Sequence, residues 1–215
     1  MGTRSAASRK RHKLPTRARR AVTGVLAVRS TCVLNKIGIF PPCCALVQLL
    51  HLIGDFERIA DHAVNIIESA EELKEKGVSF TDSAKKELQT MLNAVSEIVD
   101  LTSRAFLQDD LTLARQVEPL EQVIDLLIAE AKSTHIERLQ SGVCTIEMGF
   151  VLSDLLTNYE RVSDHCSNIA VALIETHAGS FGTHEYLNAV KETGSHEFAE
   201  VYRDYKEKYR LPESE

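Results

Sequence analysis

From Ala45 to about Lys76, apolar residues recur at Leu52, Ile53, Phe56, Ile59, Ala60, Ala63 and Ile67. That three-and-four spacing is the stripe of an amphipathic helix, and Gly77 supplies a stop. A second stripe (Leu88, Met91, Leu92, Val95, Ile98, Val99, Thr102) predicts a helix from the Thr81 to Ser83 cap region to about Leu107. Asp109 and Asp110 then offer an acidic cap for a third helix over roughly Leu111 to Leu139, with Pro119 marking a kink or its true first turn. Ser141 and Gly142 close that helix. A fourth runs from about Thr145 to Thr176, and a shorter amphipathic stretch around Glu185 to Tyr209, interrupted near Gly194, precedes a polar tail. No segment alternates as a strand would. Connections of a few residues between long helices make antiparallel neighbours the economical arrangement, so the fold class read from the pattern is all-α, an antiparallel helical bundle.

The opening of the chain is different in kind. Residues 1 to 44 hold ten of the 25 Lys and Arg and no acid, and show no helical period. We read them as a basic segment, disordered or foreign to the fold, and place no function there. The remaining 15 basic residues face 31 acids, a net charge of −16. So acidic a body repels nucleic acid and attracts cations. The absence of Trp and the 12 Tyr and Phe leave little for base stacking. Five cysteines, an odd number with no CxxC spacing, read as reduced thiols. The uncharged run IGIFPPCCALVQLLHLIG is broken by Pro41 and Pro42 and carries Gln48 and His51, so it does not read as a membrane span.

The candidate chemistry lies in an internal repeat. DFERIADHAVNI, residues 55 to 66, aligns without gaps on NYERVSDHCSNI, residues 158 to 169, with Glu57, Arg58, Asp61, His62, Asn65 and Ile66 recurring as Glu160, Arg161, Asp164, His165, Asn168 and Ile169. Each copy holds Glu-x-x-x-Asp, which brings two carboxylates to one helix face about one turn apart, at the edge of the apolar stripe. Glu121 and Asp125 repeat the spacing on the preceding helix. Adjacent anions repel unless a cation lies between them. Oxygen ligands of this kind suit hard cations such as Fe(III), Mn, Mg or Ca and accommodate Zn. The plainer reading is a solvated face, with Arg58 pairing with Asp55 or Asp61 and Arg161 with Asp164. His62 and His165, one position past each Asp, read as exposed or as contacts between helices. Asn65 and Asn168 read as partners of the Asp carboxylates, and Cys166 as a small core residue.

At DFERIADHAVNI, EQVID and NYERVSDHCSNI the chain resembles the PhoU family. HIERLQSGVC followed by VLSDLLTNYERVSDHCSNIA is similar to the cytosolic domain that follows the membrane segments of bacterial sodium/phosphate cotransporters. The resemblance implies three-helix repeats that bind multinuclear iron or zinc clusters, with Glu57, Asp61, Glu121, Asp125, Glu160 and Asp164 as metal ligands. It implies a cytoplasmic, non-enzymatic regulator, peripheral to the inner face of the membrane, that restrains a phosphate transporter of the sodium/phosphate or ABC type. The apolar stripe of the helix from Ala45 to Lys76, without the two helices that would cover it in a full repeat, predicts docking on another copy, a homo-oligomer, or on a transporter subunit. On this reading residues 45 to 80 are the last helix of a truncated first repeat, 81 to 180 a complete second repeat, and 181 to 215 a short helix and tail. Glu57 and Asp61 then lack a facing acidic pair. A helical scaffold whose acids only solubilise, and a ferritin-like di-metal enzyme, are the alternatives. The second lacks its Glu-x-x-His signature anywhere in the chain.

Overall fold

The computed structural model describes residues 42–178 and 196–212. The basic segment therefore lies outside the described residues up to position 41, as does much of the stretch from 181 onward. Six helices are described: α1 (Pro42–Lys76), α2 (Asp82–Gln108), α3 (Leu111–Arg115), α4 (Val117–Gln140), α5 (Ile146–Ala178) and α6 (His196–Lys208). No strand occurs among the described residues, and none of the described helices is long and apolar enough to cross a membrane.

The ends are set by local chemistry. Gly77 adopts φ +63°, and Gly77 N–H donates to the Lys74 carbonyl while Val78 N–H donates to that of Leu73. Gly142, at φ +73°, repeats the pair of bonds to Leu139 and Arg138. Both are Schellman closures, which need a left-handed residue just past the helix. Asp109 fills the same role after α2 at φ +60°, a conformation uncommon without glycine. Thr81 Oγ1 accepts from Ala84 N–H to start α2, and Asp110 Oδ1 accepts from Thr112 and Leu113 N–H to start α3. The expected third helix is thus two helices. The chain breaks at Gln116, and Pro119 sits in the first turn of α4, where its missing N–H costs nothing.

Helices α2, α4 and α5 pack on one another, α1 packs chiefly on α5, and α6 lies against α4. Met91 and Ile98 of α2, Leu120 and Ile124 of α4, and Leu156 of α5 are almost wholly excluded from solvent. Leu92, expected on the buried side, is exposed instead, because the face that meets α4 and α5 is centred on Met91, Val95 and Ile98. At the far end a satellite cluster of Leu52, Phe106 and Ile169, with Phe56 and Ile59 partly buried against it, docks α1. There the Phe56 and Phe106 rings meet edge to face at 5.2 Å.

The opposite end is pinned by a buried ion pair. Arg138 Nη1 and Nη2 donate to the two Glu87 carboxylate oxygens at 2.6 and 2.9 Å, which holds the guanidinium charged. Beside it His135 is buried with Nε2 lacking a hydrogen-bond partner, and burial followed by the Arg138 charge lowers its pKa. Gly149 of α5 faces that ring, and a Cβ there would lie 2.9 Å from His135 Nε2, so glycine allows the two helices their close approach.

Candidate metal centre

Helices α4 and α5 run antiparallel with Glu118 opposite Ser167 and Lys132 opposite Glu160. Between these contacts the carboxylates of the two helices face one another. The Asp125 carboxyl is raised above its ordinary pKa, first by burial and then by the neighbouring Asp164, Glu160 and Glu118 carboxylates. Three of the four acids expected to converge across α4 and α5 therefore share one neighbourhood. Glu121 lies one turn before Asp125 and is half-buried.

Two of these acids already have cationic partners. Lys132 Nζ lies 3.4 Å from Glu160 Oε2, and Arg161 Nη1 lies 3.2 Å from Asp164 Oδ2, the pair expected of a solvated face. Among the described residues, no three His, Cys, Asp or Glu side chains are arranged to hold a metal ion. The donor set nonetheless has the composition a hard cation takes, all carboxylate oxygen and mutually repulsive.

Glu118 does not belong to any Glu-x-x-x-Asp pair, yet it joins the group. It is buried, Ser167 Oγ donates to its Oε2 at 2.6 Å, and Gln122 Nε2 approaches its Oε1 at 3.5 Å. The available signal was its position, three residues before Glu121 and seven before Asp125, which keeps it on the same helix face.

The first copy of the motif behaves differently. Glu57 and Asp61 are exposed on α1, outside the contact with α5, rather than at the edge of a buried face. The Asx and His positions of the two copies are instead exchanged between helices. His165 Nδ1 donates to Asp55 Oδ1 at 2.9 Å, and His62 Nδ1 donates to Asn158 Oδ1 at 2.9 Å. Asp55 and Asn158 open the two copies, so each copy's first residue holds the other's histidine. The imidazoles stack with centroids 5.8 Å apart. An amide oxygen can only accept, so His62 carries its proton on Nδ1. Asn65, expected on the Asp61 carboxylate, instead donates through Nδ2 to Asn158 Oδ1 at 3.1 Å, because α5 presents that acceptor directly across the contact. Its counterpart Asn168 is exposed. The histidines are thus contacts between helices, as their offset from the stripe allowed. Cys166 is fully buried, and burial pushes its thiol up to about 12.

Residues 88–173, which include α4 and nearly all of α5, match the model of the PhoU domain. The chain carries a PhoU domain. It is 29% identical over 150 residues to a Thermotoga maritima protein named phosphate-specific transport system accessory protein PhoU homolog 1, covering 70% of this chain and 63% of that one. A Borreliella burgdorferi protein, named phosphate-specific transport system accessory protein PhoU homolog, is 26% identical over 132 residues, covering 60% of this chain and 58% of its own length. An uncharacterized Deinococcus radiodurans protein is 27% identical over 128 residues, 59% of this chain and 46% of that one. The chain therefore spans less than two thirds of each of these relatives. No solved structure matches it. The PhoU match spans both the EQVID segment and the second motif copy, while the first copy lies before its start.

Proposed function

We propose that this PhoU domain is a non-catalytic, cytoplasmic regulator of inorganic phosphate transport that binds iron or zinc between α4 and α5 and acts through contacts with a membrane phosphate transporter. The observation that carries the metal reading is the shared neighbourhood of Asp125, Glu160, Asp164 and Glu118, in which neighbouring carboxylates burden one another at neutral pH. The names of the Thermotoga and Borreliella relatives support the transport reading. Glu121, Asp125, Glu160 and Asp164 would be the ligands. A bound cation would supply positive charge that relieves this repulsion and ties α4 to α5.

The chain's own residues prepare that role. Ser167 holds the Glu118 carboxylate in place between α4 and α5. Lys132 and Arg161 neutralise two of the acids and would swing aside when a cation enters. On α1, Glu57 and Asp61 have the same spacing in an exposed setting, so they would bind more weakly.

Replacing Glu121 and Glu160 with Gln and Asp125 and Asp164 with Asn should strip most iron or zinc from the purified protein, read by elemental analysis, with circular dichroism unchanged. Metal content that survives all four replacements would sink the assignment. Absence of iron and zinc from the unmodified protein would instead favour the second reading, a metal-free helical scaffold, for which the Lys132–Glu160 and Arg161–Asp164 pairs already speak.

A further inference from the structure

The contact between His135 and Gly149 fixes the rotation of α4 and α5 about their axes. At about 100° per residue on antiparallel helices, the next residue on each, Ile136 and Phe150, turns to the same side of the pair. Ile146 lies one turn before Phe150 on that side, and Val143 sits in the connecting turn. Arg138 points the other way, toward Glu87 of α2, so this side faces away from the core. All four apolar side chains are open to solvent: Ile136 54%, Val143 61%, Ile146 72% and Phe150 70%. Single exposed apolar residues are ordinary, but four gathered at one end of a bundle mark a contact surface.

The surrounding charge narrows the partner. Exposed Glu147 and Asp154 flank the patch. The nearby cations are engaged, Lys76 between Glu72 and Glu147, Lys132 with Glu160, and Arg138 with Glu87. Asp125 stands on the same side about 16 Å along α4, eleven residues and about 20° in rotation from Ile136. An apolar patch in an acidic field repels anionic lipid headgroups and favours an apolar segment carrying Lys and Arg. Cytosolic segments beside membrane spans have that composition.

We propose that Ile136, Val143, Ile146 and Phe150 form the docking surface for a basic amphipathic helix, of the kind that flanks the spans of a membrane protein. The proposal deepens the transport reading and rests on it for the identity of the partner. The apolar residues of such a helix would seat on Ile146 and Phe150, and its Lys and Arg would meet Asp154 and the acids farther along α4 and α5.

The test uses the whole chain and a fluorescein-labelled synthetic helix of Leu and Lys at amphipathic spacing, about 18 residues or five turns long. Its affinity by fluorescence anisotropy should fall about tenfold or more in Phe150→Asp and in the milder Ile146→Ser, and should weaken with added salt. Both sites are exposed, so circular dichroism and metal content should not change. Equal binding of a Leu and Glu helix, or undiminished affinity in both variants, overturns the proposal. So does loss of self-association in sedimentation velocity, or of binding to phosphatidylglycerol vesicles, as the sole effect of the variants, because the patch would then serve a second copy or a bilayer. Failure here with metal binding intact leaves the proposed regulatory role standing. Metal content that survives the four carboxylate replacements, with helix binding intact, does the reverse.

Discussion

The two copies of the repeated motif share six of their twelve residues and have very different surroundings. The copy on α5 is enclosed by α2, α4 and α1, whereas the copy on α1 rests chiefly on α5 alone. Matched positions make the contrast plain: Tyr159, Val162, Cys166 and Ile169 are buried, while their counterparts Phe56, Ile59 and Ile66 are only partly buried and Ala63 is exposed. The acids follow suit, since Asp164 stands among other carboxylates and Asp61 stands in solvent. A motif fixes which residues share a helix face. What that face can do depends on how many helices cover it.

The largest way to test this contrast is to cut the same side chain from both copies. Ile169→Ala should cost about 2–5 kcal/mol, the range for a fully buried aliphatic residue. Ile66→Ala, the matched change on α1, should cost less than half as much. Equal losses in urea unfolding would mean that α1 is as well enclosed as α5.

A middle-sized effect is expected in the exchanged pairs. Double-mutant cycles between Asp55 and His165, and between Asn158 and His62, should each give a coupling of about 1 kcal/mol. A coupling near zero in either would show that the exchange does not hold the two copies in register.

The smallest effect sharpens the electrostatic side. The pKa of Asp125 is raised in the folded state, so its contribution to stability is full below the ordinary carboxylate pKa and is lost as pH rises through the raised value. In metal-free protein Asp125→Asn should therefore stabilise at neutral pH. The side chain remains exposed to solvent, so the gain should be a few tenths of a kcal/mol. It should vanish below about pH 4. Asp61→Asn on α1 should change nothing in the same thermal melts.

Much of this was legible in the chain. Gly77 and Gly142 announced their left-handed closures, Thr81 and Asp110 their caps, and the repeat its two matched helices, because each signal acts over a few residues. The facing of Asp125 with Glu160 and Asp164 followed from equal offsets on adjacent helices. Other features depended on partners far along the chain. Offset from a stripe gives a residue's direction on its own helix but not what stands opposite, so it points Asn65 to Asp61 rather than to Asn158, 93 positions away. Glu118 escapes the spacing rule for the same reason, since its burial depends on Ser167, 49 positions away. The break at Gln116 divides a run whose apolar period continues across it.

The one-sided seating of α1 has a consequence for how the protein opens. A helix fastened chiefly along a single neighbour can detach as a unit while α2, α4 and α5 keep their shared core. Amide hydrogens of α1 should then exchange with deuterium together, through an opening cheaper than global unfolding, while those around Ile124 and Leu156 exchange only when the whole domain unfolds. Such an opening would release His62 and His165 in the same event, so the pairing of the two motif copies would separate while the core of α2, α4 and α5 holds.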